Sequence, residues 1–379
     1  MKILIVVDHL RIGGIERLAL DQAYELADRG VEFALINLNL EVTTQNPNFL
    51  SQSGESSFIK RIRLINAPKG RIRQFSFILR ILAVHRPQLV ISHSLRASVL
   101  FFIARFLRPG HKINTTIHQL PSLSDRRQRI KRFLYSQFTD SLFAYSEAVR
   151  RDWNENIQSD LLLRKLCRKK INVLRNGIYL NRLNLKNYTI YPKSPIYSSK
   201  RRIIFIGRAV GWKGLNKFRE ISRSMIASQV TFIIYVPSIS AQTKSELKGE
   251  LGNRLELVVG STLANFQRQP GDVHFYPVNY GKNCAYIESI SLNCLEMAAL
   301  GVQSFVTKGG VDTWPDLAEL GAFLEQDWED LSNLYARMGS MNLNGISGSS
   351  LLRVRDLLDV KNNLERHLKE ANLTLGRLV

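Results

Sequence analysis

Arg208 and Lys213 lie five positions apart in the stretch FIGRAVGWKG (205–214), beside a run of apolar residues that predicts a β-strand. An arginine can hold a phosphate through two parallel hydrogen bonds, and a lysine adds a compact positive charge. At the carboxyl end of a parallel strand, this pair suits the stabilisation of a departing diphosphate. Each cation alone would usually be a solvated surface residue, but the combination favours a functional interpretation.

Two glutamates, Glu288 and Glu296, frame seven uncharged residues in YIESISLNCLEMAALG (286–301). Asn293 and Glu296 have the spacing of a capping box, which predicts that Asn293 is the N-cap of a helix closed by Gly301. That interpretation explains Glu296 as a structural residue. It leaves Glu288 without a structural explanation.

A glycine pair and two histidines occupy the ends of other predicted strands. Gly13 and Gly14 separate the first strand from the first helix, where backbone N–H groups can meet a phosphate. The third glycine of a dinucleotide fingerprint is missing, so a simple tight turn stays equally possible. His118 ends INTTIH and His93 follows VIS, and for both a structural role remains the alternative.

Strand-like and helix-like segments alternate along the chain, which predicts an α/β fold with parallel sheets. The predicted strands are 2–7, 33–38, 89–92, 113–118, 141–146 and 171–174, then 203–207, 230–236, 255–260, 272–277 and 303–307. A polar stretch with two prolines, 183–202, separates the two groups. We therefore expect two Rossmann-like, doubly wound domains facing across a cleft, at 1–185 and 186–350. A helical tail, 351–379, is expected to pack back on the first domain.

The sequence contains no motif for several other kinds of chemistry. The P-loop, the nucleophile elbow and the common zinc spacings are missing from the sequence. The three cysteines have no metal-ligand spacing, and we interpret them as reduced thiols of a cytoplasmic protein. The longest apolar run, 98–107, is too short to span a bilayer.

The formal net charge is +21, and residues 51–200 hold 29 lysines and arginines against 7 acidic residues. Two interpretations stay open for this basic region. The basic residues form the solvated faces of helices, or residues 60–132 dock on an anionic membrane surface. The basic residues considered are Arg73, Arg80, Arg86, Arg96, Arg105, Arg108 and the run RRQRIKR at 126–132.

Taken in order, these segments resemble those of the retaining glycosyltransferases of family 4, which have the GT-B fold. The resemblance spans most of residues 1–310. It rests on GGIERLALDQAYELADRGVEF, VISHS, TTIHQL, AYSEAVRRDW, INVLRNGI, FIGRAVGWKG and ESISLNCLEMAALGVQSFVTKGG. The last of these is similar to the family's signature of two glutamates separated by seven residues.

The resemblance implies roles for the residues of that signature. Glu288 would face the donor sugar, and Glu296 would hold the ribose hydroxyls of the nucleotide. The loop amides near Ser291 and Leu292, and the helix beginning near Asn293, would face the diphosphate.

The same resemblance implies roles for residues outside the signature. Arg208 and Lys213 would stabilise the departing diphosphate. Gly13 and Gly14 would let the main chain approach it, and His118 would touch the sugar. Since the two cations would take over the task of a metal ion, neither a metal nor another cofactor is expected.

The implied function is retaining transfer of a sugar, a hexose by expectation, from a UDP-sugar or GDP-sugar. The acceptor would be a glycan or a polyprenyl- or lipid-linked molecule in cell-surface polysaccharide or glycolipid synthesis. We expect a cytoplasmic protein, peripheral on the inner face of the plasma membrane. The alternatives are a nucleotide-sugar epimerase of GT-B fold and a non-catalytic relative that binds nucleic acid or glycan. We expect no nucleic-acid partner, because no recognition motif supports one.

Overall fold

The computed structural model describes most of the chain and shows two parallel β-sheets covered by helices. The described residues are 2–10, 13–39, 62–118, 126–167, 170–183, 185, 201–209, 213–225, 230–260, 266–269, 271–278, 291–328, 334 and 345–374. The fold class is α/β, as the alternating pattern predicts.

The first sheet contains seven strands in the order β3-β2-β1-β4-β5-β6-β7. They are β1 (Ile3–Val7), β2 (Phe33–Asn37), β3 (Leu64–Asn66), β4 (Leu89–Ser92), β5 (Lys112–Ile117), β6 (Ser141–Ala144) and β7 (Ile171–Val173). Each neighbouring pair is parallel, with Ile3 opposite Phe33 on one side and Leu89 on the other. All five residues of β1 are buried, as expected for a strand covered on both faces.

Within the described residues, six helices connect the strands of the first sheet. They are α1 (Gly14–Asp28), α2 (Arg71–His85), α3 (Leu95–Leu107), α4 (Arg126–Gln137), α5 (Glu147–Ser159) and α6 (Leu161–Leu166). A 3₁₀ turn, Leu180–Leu183, follows the first sheet.

The second sheet contains six strands in the order β10-β9-β8-β11-β12-β13. They are β8 (Arg201–Ile206), β9 (Val230–Val236), β10 (Leu255–Val259), β11 (Val273–Phe275), β12 (Gln303–Val306) and β13 (Phe323–Glu325). The accompanying helices are α7 (Leu215–Ser224), α8 (Ala241–Leu251), α9 (Leu292–Ala299), α10 (Lys308–Thr313) and α11 (Pro315–Glu319). Every neighbouring pair in this sheet is also parallel.

Two helices close the described chain and bring it back to the first sheet. They are α12 (Gly348–Leu358) and α13 (Val360–Glu370). Ile178 donates to the carbonyl of Leu358 at 2.8 Å, and Val360 donates to the carbonyl of Ile178 at 3.0 Å. Asn114 of β5 donates through Nδ2 to the carbonyl of His367 at 2.7 Å. The final helix therefore contacts the first domain through hydrogen bonds to backbone carbonyls as well as through packing.

One buried apolar cluster joins both halves of the molecule. It includes Ile5 of β1, Leu18 of α1, Leu295 of α9 and Leu364 of α13. Because burying one such side chain contributes about 1.5–3 kcal/mol, this shared cluster stabilises the contact between the halves as well as each half.

All eleven predicted strands are present, with ends shifted by at most two residues. The sequence pattern missed β3 and β13, which are three residues long and lie at sheet edges. So short a segment carries too few residues to show alternation or a continuous apolar run.

Gly177 lies where the returning tail passes closest to the first domain. A Cβ atom added there would lie 2.5 Å from the Cα of Val360, a backbone atom that no rotamer change can move. We expect Gly177→Ala to lower the free energy of unfolding by about 2 kcal/mol, within the range for overpacking. Urea denaturation measures this change.

Gly249→Ala is the matched control, because Gly249 lies in α8 and an added Cβ would contact nothing within 4 Å. That variant should be neutral or more stable by about 0.5–1 kcal/mol. Equal stability of the two variants would contradict the close approach at Gly177.

Candidate functional site

The carboxyl edge of the second sheet carries both predicted phosphate-binding cations. Arg208 follows β8 and is exposed, whereas Lys213 lies just before α7 and is half-buried. The Nζ atom of Lys213 is 3.4 Å from the hydroxyl of Tyr276, which follows β11. Gly214 has φ +83, and an added Cβ would lie 2.1 Å from the carbonyl oxygen of Pro277, so glycine is required beside Lys213.

The amino terminus of α9 adjoins the same edge. Ser291 is the N-cap residue, with an extended backbone, and its carbonyl accepts from the amide of Cys294 at 3.0 Å. Asn293 lies inside the helix and donates through Nδ2 to the carbonyl of Ile206, at the end of β8, at 3.1 Å. Ser291, Leu292 and Asn293 therefore lie next to the strand that leads to Arg208.

The predicted capping box is wrong. Ser291 takes the N-cap position, two residues before Asn293, and Glu296 directs its carboxylate to arginines of the first domain instead. The predicted closure of this helix is confirmed, because Gly301 has φ +80 and follows the last helical turn. Glu288 lies outside the described residues, and its role stays a prediction.

Glu296 joins a buried set of four charges that connects the two domains. Arg182 donates through Nε to Asp21 Oδ1 at 2.8 Å and through Nη2 to Asp21 Oδ2 at 3.1 Å. The same Nη2 donates to Glu296 Oε1, and Arg17 Nε lies 3.9 Å from that oxygen. Asp21, Arg182 and Glu296 are almost fully buried. We call Arg17, Asp21, Arg182 and Glu296 the interdomain charge cluster.

Both carboxylates keep Arg182 charged. Burial alone would lower the pKa of Arg182, but Asp21 and Glu296 raise it above its ordinary value. Burial also raises the pKa of Asp21, and the two hydrogen bonds from Arg182 oppose that rise. A buried guanidinium with two carboxylate partners is stable only while both partners remain in place.

The charge cluster brings the start of α1 close to α9. Gly13 is the N-cap residue of α1, Gly14 begins the helix, and Arg17 lies one turn further on. A Cβ atom added to Gly13 would lie 2.3 Å from Glu16 Oε2, so a larger residue would displace that carboxylate. Arg17, in the first turns of α1, also approaches Glu296 of α9, so the two helices contact each other through this pair.

His118 lies at the carboxyl edge of the first sheet, directly after β5. Its Nε2 is 2.9 Å from His93 Nδ1, and its ring stacks on Tyr145 at 6.1 Å between centroids. Burial lowers the pKa of His118 well below its ordinary range, and His93 and His367 lower it further. Burial also lowers the pKa of His93 to about 4. Both imidazoles are therefore neutral at physiological pH.

A cavity of about 490 Å³ lies away from these residues. Arg175, Trp314, Asp359 and Asn363 are among its lining residues, while Arg208, Lys213, Glu296 and His118 are not. Its size alone therefore does not make it the candidate site.

Comparison with known proteins identifies the fold and a partial family match. Residues 12–182 match the family described as Glycosyltransferase Family 4. A glycosyltransferase from Rickettsia africae ESF-5 is 17% identical with a TM-score of 0.69, covering 98% of this chain and 97% of that one. Anabaena HepE in complex with UDP is 16% identical with a TM-score of 0.70, covering 98% and 100%. The chain has the GT-B fold.

A third GT-B neighbour is a variant of S. aureus TarM in complex with fondaparinux, α-GlcNAc-glycerol and UDP. It is 10% identical with a TM-score of 0.66, covering 98% of this chain and 100% of that one. No curated protein matches the sequence at a significant level. The family match and the GT-B fold together support a glycosyltransferase.

Sequence reasoning missed the partners of the predicted site residues. Asp21 and Gln22 lie on the buried face of α1, and both are fully buried. Polar residues inside an apolar helical stripe were the available signal for them. Arg182 carried no such signal, because it stands in an irregular segment and its partners lie 161 and 114 positions away.

Removing Arg182 should destabilise the protein strongly. Arg182→Met leaves Asp21 and Glu296 buried without their shared cation, and breaking a buried ion pair in this way costs about 3–5 kcal/mol. Chemical denaturation of the full chain measures the loss.

Arg150→Met is the matched control, because Arg150 pairs with Glu147 on α5 and both side chains are about 40% exposed. An exposed pair contributes at most about 1 kcal/mol. If the two variants unfold at the same denaturant concentration, the charge cluster does not stabilise the contact between domains.

Proposed function

We propose that this chain is a glycosyltransferase that transfers a sugar from a nucleotide-diphosphate donor to a hydroxyl of a glycan or lipid-linked acceptor. The observation that carries the proposal is the position of the amino terminus of α9 beside the end of β8, which leads to Arg208. Arg17 of α1 also approaches Glu296 of α9, so residues of both domains meet at this helix. The family match over residues 12–182 supports the same reaction class.

The donor diphosphate is proposed to lie against Ser291, Leu292 and Asn293, with Arg208 and Lys213 beside it. A helix amino terminus favours an anion, and two cations add charge stabilisation without a metal ion. Gly13 and Gly14 are proposed to border the diphosphate from the first domain. Neither glycine has a side chain that would keep the diphosphate at a distance.

The nucleotide ribose is proposed to bind Glu296, and the sugar to lie near Glu288 and His118. One oxygen of Glu296 is held by Arg182, which fixes the orientation of the carboxylate. A carboxylate held in this way retains acceptor capacity for ribose hydroxyls.

The proposed reaction retains the anomeric configuration. The bond between the anomeric carbon and the β-phosphate oxygen breaks, and its electron pair stays on the phosphate. The acceptor hydroxyl forms its bond to the anomeric carbon on the same face and gives its proton to the departing phosphate oxygen. Arg208 and Lys213 stabilise the charge that develops on that oxygen.

UDP-sugars are the first donors to test, and GDP-sugars the second. Anabaena HepE has been solved with UDP and with UDP-glucose, which supports a uridine donor by analogy of fold. A hexose donor and an acceptor in cell-surface polysaccharide or glycolipid synthesis complete the proposal. WaaB, a lipopolysaccharide outer core galactosyltransferase, is another neighbour of similar fold.

A nucleotide-sugar epimerase of GT-B fold is the alternative within enzymes. It would convert the donor with no added acceptor, so product analysis of an acceptor-free reaction separates the two activities. A non-catalytic relative that binds nucleic acid or glycan would instead show binding without turnover.

Donor binding predicts a thermal shift. One of UDP, GDP or ADP should raise the melting temperature of the full chain, since a ligand at about 100 times its Kd stabilises by about 2.7 kcal/mol. Arg208→Ala and Lys213→Ala should reduce that shift, because each removes a cation from the diphosphate.

Arg223→Ala is the control for charge, since Arg223 is an exposed cation of the same domain that pairs with Glu250. It should keep the full shift. Absence of a shift with all three nucleotides, or equal loss in the control, would contradict the proposed donor site.

We further propose that the first domain docks on an anionic membrane surface on the cytoplasmic side. Large apolar side chains are exposed on three successive helices: Ile72 and Val84 on α2, Ile103, Phe106 and Leu107 on α3, and Ile130 on α4. Exposed arginines, among them Arg73, Arg80 and Arg108, share these helices or flank them. None of the helices within the described residues is long and apolar enough to cross a bilayer.

Several arginines of the basic region have structural partners instead, including Arg96 with Gln74 and Arg129 with Asp160. Arg105 binds both oxygens of Asp140, at 2.9 and 2.6 Å, and Arg132 is buried against Asp152 at 3.2 Å. The docking surface is therefore restricted to the exposed residues of α2, α3 and α4.

Vesicle flotation tests the docking surface. The chain should float with vesicles containing anionic lipid at low salt and remain behind with neutral vesicles. Phe106→Ser combined with Arg108→Gln should lower the bound fraction at least about fivefold, since one basic residue contributes about 1 kcal/mol.

Leu352→Ser combined with Arg353→Gln is the matched control, because these residues form an exposed apolar–basic pair on α12. It should float like the unchanged protein. Failure of the unchanged protein to bind anionic vesicles at low salt would contradict the docking proposal.

A further inference from the structure

A continuous series of hydrogen bonds connects the last helix to His118. The carbonyl of Arg175 accepts from Asn363 Nδ2 at 3.0 Å, and Asn363 Oδ1 accepts from Gln22 Nε2 at 2.7 Å. Gln22 Oε1 lies 2.9 Å from His93 Nε2, and His93 Nδ1 lies 2.9 Å from His118 Nε2. Gln22, His93 and Asn363 are buried. We call the side chains of Asn363, Gln22, His93 and His118 the polar relay.

The direction of every hydrogen bond in the relay follows from its first member. A backbone carbonyl can only accept, so the amide nitrogen of Asn363 must face Arg175 and its oxygen must face Gln22. Gln22 then donates to Asn363, and its oxygen must accept from His93. His93 therefore carries its proton on Nε2 and presents the lone pair of Nδ1 to His118.

We propose that Asn363, Gln22 and His93 are positioning residues that hold His118 with its proton on Nε2, so that Nδ1 accepts a hydrogen bond from a sugar hydroxyl. The identity of that ligand rests on the proposed function, whereas the tautomer follows from the relay itself. Asn363 lies on α13, far from β5 in sequence. It therefore orients His118 through two intermediate residues, Gln22 and His93.

The chemistry of a lone pair selects the ligand class. A neutral ring nitrogen without a proton accepts from an O–H group and repels the oxygens of a phosphate. His118 is half-buried at the carboxyl edge of the first sheet, where ligands of such folds bind. It is therefore suited to a sugar hydroxyl and unsuited to the diphosphate.

The surroundings keep His118 neutral. Tyr145 stacks on one face of its ring, and the imidazoles of His93 and His367 are the neighbouring titratable groups. His367 is fully buried against Phe143, and burial lowers its pKa to about 3. Protonation of His118 on Nδ1 would place a charge among these neutral groups.

Nitrogen-15 spectroscopy of the histidine-labelled full chain tests the tautomer without any ligand. His118 is assigned by difference from His118→Gln. The expected pattern is a protonated Nε2 and an unprotonated Nδ1. Gln22→Leu removes the acceptor for His93, so His93 should move its proton to Nδ1 and His118 should shift towards the opposite tautomer.

Leu20→Ala is the control, since Leu20 is buried on the same helix two positions before Gln22, a spacing at which side chains do not face each other. Its truncation destabilises the protein without removing a relay residue. It should leave the His118 pattern unchanged. A proton on Nδ1 of His118 in the unchanged protein, or the same pattern in Gln22→Leu, would overturn the proposal.

Turnover with a nucleotide-sugar donor gives the second readout. Gln22→Leu should lower kcat about tenfold, the factor that corresponds to one lost hydrogen bond, with donor KM changed less than twofold. Leu20→Ala should keep kcat. If the tautomers behave as expected but no donor is turned over, the proposed function fails and the relay stands. If kcat is unchanged in Gln22→Leu while the tautomer shifts, the role of Nδ1 towards the sugar is overturned.

Discussion

The buried guanidinium of Arg182 constrains the whole arrangement of the two domains. It binds Asp21 of the first domain through two hydrogen bonds and Glu296 of the second through one, so it belongs more firmly to the first domain. Any movement that widens the cleft would break the single contact with Glu296 before the paired contact with Asp21. Because Asp21 lies on α1 and Glu296 on α9, the position of this cation ties the two helices to each other.

The returning tail supplies a second constraint. Gly177 permits the backbone of Val360 to approach closely, and the hydrogen bonds on either side of Ile178 hold the crossing in place. One turn further along α13, Asn363 closes the polar relay. The geometry at the carboxyl edge of the first sheet thus depends on residues from both ends of the described chain.

Much of the fold was predictable, because β1, β8 and the other central strands are continuous apolar runs that only a covered parallel sheet explains. The candidate site was predictable as far as family resemblance reaches, which places Arg208, Lys213 and the segment around Glu296. Its supporting contacts were not predictable. Asn363 and Gln22 are 341 positions apart, and no local pattern shows that one orients the other. The N-cap at Ser291 was missed because Asn293 has the better local motif, while its amide instead binds the carbonyl at the end of β8.

The distance between Gln22 and Asn363 along the chain also matters during synthesis. At roughly 5–20 residues per second, Gln22 leaves the ribosome tens of seconds before its partner is translated. For that interval the nascent first domain can form its sheet, but the side chain of Gln22 lacks Asn363, the partner that orients its amide. Under the proposed relay, the tautomers of His93 and His118 are therefore set only after Asn363 has been translated, and a chain cut short before residue 360 would form the first sheet without that control.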